Sequence, residues 1–143
     1  MSVGSSFVAD ASVAVKWLIP EQHTDEALRL HKAAALIAVP DFVYAEVGNV
    51  LWKHVRRELI SEAEARSALN VFEQLSSKIA VYPSRGLLPS ALELACHTGA
   101  SVYDSLYLAL AREQQRRCVT ADRKLFDRIS QTPFAEHMQW IGD

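Results

Sequence analysis

The chain has little with which to build soft-metal or nucleophilic chemistry. Its two cysteines, Cys96 and Cys118, share no metal-ligand spacing with each other or with the five histidines, and lone thiols in a chain of this size are expected to stay reduced and form no disulfide. There is no Ser-His or Cys-His constellation to supply a protein nucleophile. Neither G-x-G-x-x-G nor a P-loop is present, which excludes a dinucleotide-binding fingerprint and a Walker-type phosphate cradle. Long apolar runs are also missing. The longest, residues 106–111 and 33–39, fall far below the roughly 20 residues that cross a bilayer, so no membrane association is expected. Residues 1–6 lack the basic start and apolar stretch of a secretory signal, and the expected location is cytoplasmic. Gly and Pro number five each, too few for a disordered or fibrous chain, and no repeat, low-complexity segment or linker interrupts the sequence. Nor is there an excess of one charge. At a formal net charge of −2 the whole molecule will not gather polyanions, so any nucleic acid must be held by local basic groups. Arg56 with Arg57, Arg112 with Arg116 and Arg117, and Arg123 with Lys124 are the candidates, each read first as a solvated helix face.

What is present is a well-supplied core: half of the 143 residues are hydrophobic, which suits one domain over 1–143. Residues 7–9 and 36–39 are short apolar runs that end at Asp10 and Pro40 and read as buried strands. Between them, Ala27, Leu28, Leu30 and Ala34 mark a helical stripe in residues 23–35, giving a βαβ unit with parallel strands. Val43, Val47, Val50, Leu51 and His54 predict a helix over 41–58. The capping box Ser61-Glu62-Ala63-Glu64 opens another that should run to about Leu75. A third strand is expected over 78–82, a loop over 83–89 from its Pro and Gly, and a helix over 87–96 stopped by Gly99. The most apolar helix follows over 101–117, then a strand over 117–120, a helix over 122–130 and a last strand over 138–141. This alternation predicts an α/β fold whose parallel sheet is covered on both faces.

Four carboxylates stand where that pattern makes them informative. Asp10 ends the first strand, Glu46 lies about two turns into the helix after the second, Asp104 is in the first turn of its helix, and Asp122 follows the fourth strand. Ligands of open parallel sheets bind beyond the carboxyl ends of the strands, where strand order reverses. If the first strand neighbours the fourth, Asp10 and Asp122 face each other. Taken singly, each acid has a plainer reading: Asp10 and Asp122 can N-cap the helices that follow, Asp104 completes a capping box with Ser101, and Glu46 shares a solvated stripe with Asn49 and Lys53. Taken together, carboxylates crowded at one edge repel one another unless a cation neutralises them, and a set without Cys or His suits a hard ion, Mg²⁺ or Mn²⁺.

Asp10-Ala11-Ser12-Val13-Ala14-Val15-Lys16-Trp17 resembles the opening motif of PIN domains, and Val39-Pro40-Asp41-Phe42-Val43-Tyr44-Ala45-Glu46-Val47-Gly48-Asn49-Val50-Leu51 the second. Tyr103-Asp104-Ser105-Leu106-Tyr107-Leu108-Ala109-Leu110-Ala111 is similar to the third, and Val119-Thr120-Ala121-Asp122-Arg123-Lys124-Leu125-Phe126 to the fourth. The resemblance, closest to the VapC-type ribonuclease toxins, covers nearly the whole chain in the right order, while residues 58–94 match no motif. It implies a three-layer α/β/α fold with strand order 3-2-1-4-5 and RNA cleavage dependent on Mg²⁺ or Mn²⁺. It also implies a homodimer and an antitoxin partner of the VapB type. It places metal ligation on Asp10, Glu46, Asp104 and Asp122, with Ser12 and Thr120 as supporting hydroxyls. Asp127 is read as an exposed acid outside the site.

Bound metal can activate water, neutralise phosphoryl oxygens and stabilise a leaving oxygen, so such a site needs no protein nucleophile. In this reading Asp10 with Asp104 or Asp122 holds the principal ion and Glu46 binds or orients the attacking water. The alternative keeps the fold without the chemistry, as a module that binds RNA or a protein, and retention of all four acids speaks against it. A small phosphotransfer enzyme or receiver domain also puts Asp at strand ends, but Asp10-Ala11-Ser12 lacks the second Asp of a haloacid-dehalogenase-type phosphatase.

Overall fold

The strands β1 (Ser6–Ala9), β2 (Leu36–Pro40), β3 (Ile79–Tyr82), β4 (Cys118–Thr120) and β5 (Met138–Trp140) form one parallel sheet in the spatial order β3-β2-β1-β4-β5. The computed structural model that shows this describes residues 6–143, apart from the side chain of Ser76. Residues 1–5, most of the stretch read for a secretory signal, lie outside the described residues. The chain builds outward from β1 to β3, then returns to lay β4 against the free side of β1, with Val8 opposite Cys118 and Ala9 opposite Val119. The reversal of strand order therefore falls between β1 and β4. Phe7, Val8, Ala9, Cys118, Val119 and Thr120 are all buried, as central strands covered on both faces require.

Seven helices flank the sheet among the described residues: α1 (Ala11–Ala14), α2 (Thr24–Ala33), α3 (Phe42–Arg56), α4 (Glu62–Gln74), α5 (Ser84–Thr98), α6 (Val102–Glu113) and α7 (Arg123–Ser130). The α/β/α arrangement and strand order expected from the sequence are both present. No helix among the described residues is long and apolar enough to cross a membrane. The predicted capping box is complete, since Ser61 Oγ accepts from Glu64 N–H while Glu64 Oε1 accepts from Ser61 N–H, each at 3.0 Å. α6 is buried from Ser105 to Ala111 and packs on β1, β2 and β4, so it carries its first turn to the point where the strand order reverses.

Three differences from the sequence expectations have physical causes. First, residues 11–17, assigned no element, form α1 and a 3₁₀ turn, Val15–Trp17. Val13, Ala14, Val15 and Trp17 are buried, and Trp17 Nε1 donates to Ala27 O at 2.9 Å, which ties the turn to α2. Lys16 is buried beside them and is paired with Glu21 at 2.8 Å. Second, α6 stops at Glu113 instead of continuing to 117. Gln115 takes a left-handed φ of 53°, Arg116 N–H donates to Ala111 O and Gln115 N–H to Arg112 O, the Schellman closure normally signalled by glycine. Glu58, with φ 59°, closes α3 in the same way.

Third, the loop expected over 83–89 is the first part of α5, which begins at Ser84 and contains Pro89. Proline there removes one helical N–H donor and crowds the preceding turn. Leu87, Ala91 and Leu94 are nevertheless buried, and the face they form packs along α6, so tertiary burial outweighs the local penalty. Gly99 ends the helix as expected, with φ 78° and its N–H on Ala95 O. Restoring the missing donor by Pro89→Ala is expected to raise unfolding stability by about 1–3 kcal/mol in chemical denaturation, somewhat offset by the freer unfolded chain. A loss of stability would show that the proline ring itself packs productively.

Candidate active site

Asp10 is the first residue after β1 and the N-cap of α1, and only 5% of it is exposed. Both carboxylate oxygens are engaged. Oδ1 accepts from Ser12 Oγ at 2.5 Å and from Val13 N–H at 3.2 Å, and Oδ2 accepts from Thr120 Oγ1 at 2.5 Å. Ser12 Oγ in turn accepts Ala121 N–H at 2.8 Å, and Thr120 Oγ1 accepts Asp122 N–H at 3.0 Å. The two hydroxyls thus join the end of β1 to the end of β4 across the point where the strand order reverses.

Glu46 comes to the same edge from α3, because Val43, Val47 and Leu51 anchor the buried side of that helix and leave Glu46 half-buried beside α6. The Tyr107 phenol donates to Glu46 Oε1 at 2.5 Å. Asp104 stands in the first turn of α6, whose N-cap Ser101 accepts Asp104 N–H at 3.1 Å. That bond uses the Asp104 backbone, and a further Ser101 hydrogen bond reaches the Asp104 carboxyl and opposes its rise. Asp122 N-caps α7 by accepting Leu125 N–H at 3.1 Å and is exposed.

The electrostatics show which acids sense one another. Burial pushes Asp10 up to about 6, with Ser12, Thr120 and Val13 opposing and the Asp104 charge adding. Burial pushes Glu46 up to about 7, opposed by the Tyr107 hydrogen bond and reinforced by Asp104 and Asp10. Asp104 is raised by burial first and by Asp122 next. The Tyr107 phenol is driven far above its ordinary range, by burial and then by Glu46, so it remains a hydrogen-bond donor. Four carboxyls are therefore linked in a chain of mutual repulsion from Glu46 and Asp10 through Asp104 to Asp122.

That is the environment a cation relieves, and the oxygen-only donor set fits a hard divalent ion. Among the described residues, no three His, Cys, Asp or Glu side chains close around a point as a ready-made cage.

The structure brings Asp10, Ser12, Glu46, Asp104, Thr120 and Asp122 to one edge of the sheet. β1 and β4 are neighbours as the facing of Asp10 and Asp122 required; the side chain hydrogen-bonded to Asp10 from β4 is Thr120, while Asp122 is exposed and its charge acts on Asp104. Glu46 is not on a solvated stripe, because Tyr107 covers it. Tyr107 is the site residue that sequence reasoning missed. The signal was a lone phenol in an otherwise apolar, buried run, where its hydroxyl must find a partner. The basic candidates lie partly on aromatic rings: the Arg56, Arg112 and Arg123 guanidiniums sit 5.3, 4.9 and 4.7 Å from the ring centres of Trp52, Phe134 and Trp140. Asp127 is exposed beside Arg123, outside the cluster.

A family model for the PIN domain matches residues 7–131, and the chain belongs to the PIN-domain family. Ribonuclease VapC3 of Pyrobaculum aerophilum is 34% identical over 122 residues, which cover 85% of this chain and 93% of that protein. PAE2754, also from Pyrobaculum aerophilum, has a crystal structure similar to this one with a TM-score of 0.68 at 25% identity, over 96% of this chain and 84% of that one. A chain of a toxin-antitoxin complex from Klebsiella pneumoniae shares the fold with a TM-score of 0.59 at 15% identity, over 90% of this chain and 93% of that one.

The raised carboxyls fix the sign of a pH effect. Between about pH 4 and pH 7 the folded, metal-free protein holds protons on Asp10 and Glu46 that the unfolded chain has released, so stability falls as pH rises through that window. Asp10→Asn removes the larger-buried group's share. In EDTA it is expected to match the parent near pH 4 and to exceed it above pH 7 by on the order of 2–3 kcal/mol. Urea unfolding across that range measures both curves, and a parent that gains stability over the variant as pH rises contradicts the assignment.

Proposed function

We propose that this protein hydrolyses RNA phosphodiester bonds endonucleolytically, with Mg²⁺ or Mn²⁺ held by Asp10, Glu46, Asp104 and Asp122, as the toxin of a toxin-antitoxin pair. The observation that carries this reading is the convergence of mutually repelling carboxyls, Asp10 buried and Glu46 and Asp104 half-buried, at the edge where the sheet reverses its order, in a PIN-domain chain. The ribonuclease named among its relatives supports the activity, and the toxin-antitoxin complex that shares its fold supports the partner. The cytoplasm is where such a chain meets RNA and antitoxin. A single domain over 1–143 that pairs as a homodimer is the form this reading gives the protein.

When bound, the divalent ion supplies charge neutralisation for the phosphoryl oxygens and a more acidic water. The chain's own contribution is orientation. Ser12 and Thr120 hold the Asp10 carboxylate in one rotamer, so that it would meet a bound cation without reorganisation. Tyr107 fixes Glu46 through Oε1, so that its carboxyl would bind or orient the attacking water in one position. Asp104 and Asp122 extend the negative field outward and complete the set that draws the cation in.

The test is cleavage of a panel of RNAs by purified protein with Mg²⁺ or Mn²⁺, stopped by EDTA. Thr120→Val, which removes only the hydroxyl that orients Asp10, is expected to lose about 10- to 100-fold in cleavage or metal affinity, and Asp10→Asn at least as much. Asp10→Asn cutting as fast as the parent would end the assignment. Expression of the parent is expected to arrest growth, relieved by the cognate antitoxin. Arrest by Asp10→Asn at the same strength would show that RNA cleavage is not its cause.

A further inference from the structure

At the start of α3 and α6 two aromatic rings are stacked. Phe42 and Tyr103 lie with ring centres 5.0 Å apart and planes 14° from parallel. Phe42 is rooted against the core, whereas Tyr103, laid over it, is 61% exposed. Their place is set by helix periodicity. Phe42 is four residues before Glu46 on α3, and Tyr103 four before Tyr107 on α6, so the stack lies one helical turn from the Tyr107–Glu46 hydrogen bond along the same pair of helices. Tyr103 also directly precedes Asp104.

Each of the two helix starts also has polar bonds of its own. Phe42 N–H donates to Ser84 Oγ at 3.2 Å, Asp41 Oδ1 accepts Ser84 N–H at 3.0 Å, and Ser101 caps α6. Polar bonds thus tie the start of α3 to α5 and cap α6, while Tyr103 itself remains largely open to solvent. A large aromatic face held rigid from behind, one turn from phosphodiester-cutting acids, has the form of a stacking platform for an unpaired base.

We infer that Tyr103, backed by Phe42, stacks an unpaired base of the nucleotide next to the scissile phosphate and so positions the RNA strand on the acids. The inference rests on the ribonuclease reading and deepens it. A base inside a duplex is already stacked on both faces and has none to offer, whereas a splayed base does. Stacking of this kind tolerates any base, so the platform selects for strandedness and leaves sequence preference to other contacts.

The experiment uses the full chain and short single-stranded RNAs carrying 2-aminopurine at successive positions. Binding is followed in EDTA by the emission change on stacking, and single-turnover cleavage is followed in Mg²⁺. Tyr103→Ala is expected to weaken binding by roughly 5- to 100-fold and to abolish the emission change, while Tyr103→Phe and Tyr103→Trp keep both. Cleavage by Tyr103→Ala should show a raised KM with kcat little changed. An abasic nucleotide at the stacking position should erase the difference between parent and Tyr103→Ala, which a merely structural role would not do. Tyr103→Ala that binds and cleaves single-stranded RNA like the parent overturns the platform alone, and so does Tyr103→Phe losing as much as Tyr103→Ala. A parent that neither binds nor cuts any RNA overturns the platform and the ribonuclease reading together.

Discussion

The structure is organised around one costly act, the burial of the Asp10 carboxyl at the seam between β1 and β4. A carboxylate removed from water must be hydrogen-bonded, and this one is bonded through both oxygens to hydroxyls from the two sides of the seam. Thr120 can reach it only if β4 lies beside β1 in the observed register, and Ser12 only if the chain turns at once into α1. The 3₁₀ turn and the docking of Trp17 onto α2 continue from the turn that Asp10 caps. The same bonds do not satisfy the charge, which is why the carboxyl still sits well above its ordinary range. The fold therefore supplies orientation and withholds neutralisation, the combination that suits a cation-dependent site.

Much of this was legible in the residues. The βαβ opening, the Ser61 capping box, the Gly99 stop and the apolar run 105–111 each rest on short-range chemistry that survives folding unchanged. The four acids were legible because strand ends and helix starts locate them. The strand order itself came through family resemblance, since no local pattern states which strands are neighbours.

What the sequence hid was set by tertiary packing. Pro89 and Gly86 speak for a loop, yet the buried side of α5 holds them in a helix against α6. Gln115 and Glu58 adopt left-handed conformations that nothing in their chemistry announces. Asp122 was expected to face Asp10, and the sequence did not announce that Thr120 would supply the hydrogen bond to Asp10 while Asp122 caps α7. Tyr107 read as core, and only contact between α3 and α6 shows what its hydroxyl serves.

The pairing of β1 with β4 also has a consequence in time. Val8 meets Cys118 across about three-quarters of the chain's length, so the contact that completes the acidic edge is among the least local in the molecule. A ribosome makes β1, β2 and β3 long before β4 exists, and until β4 docks, Asp10 lacks its Thr120 partner and Asp122 is not in place. A nascent chain thus carries the pieces of the site without the site, and its assembly must wait until residues 118–122 have emerged.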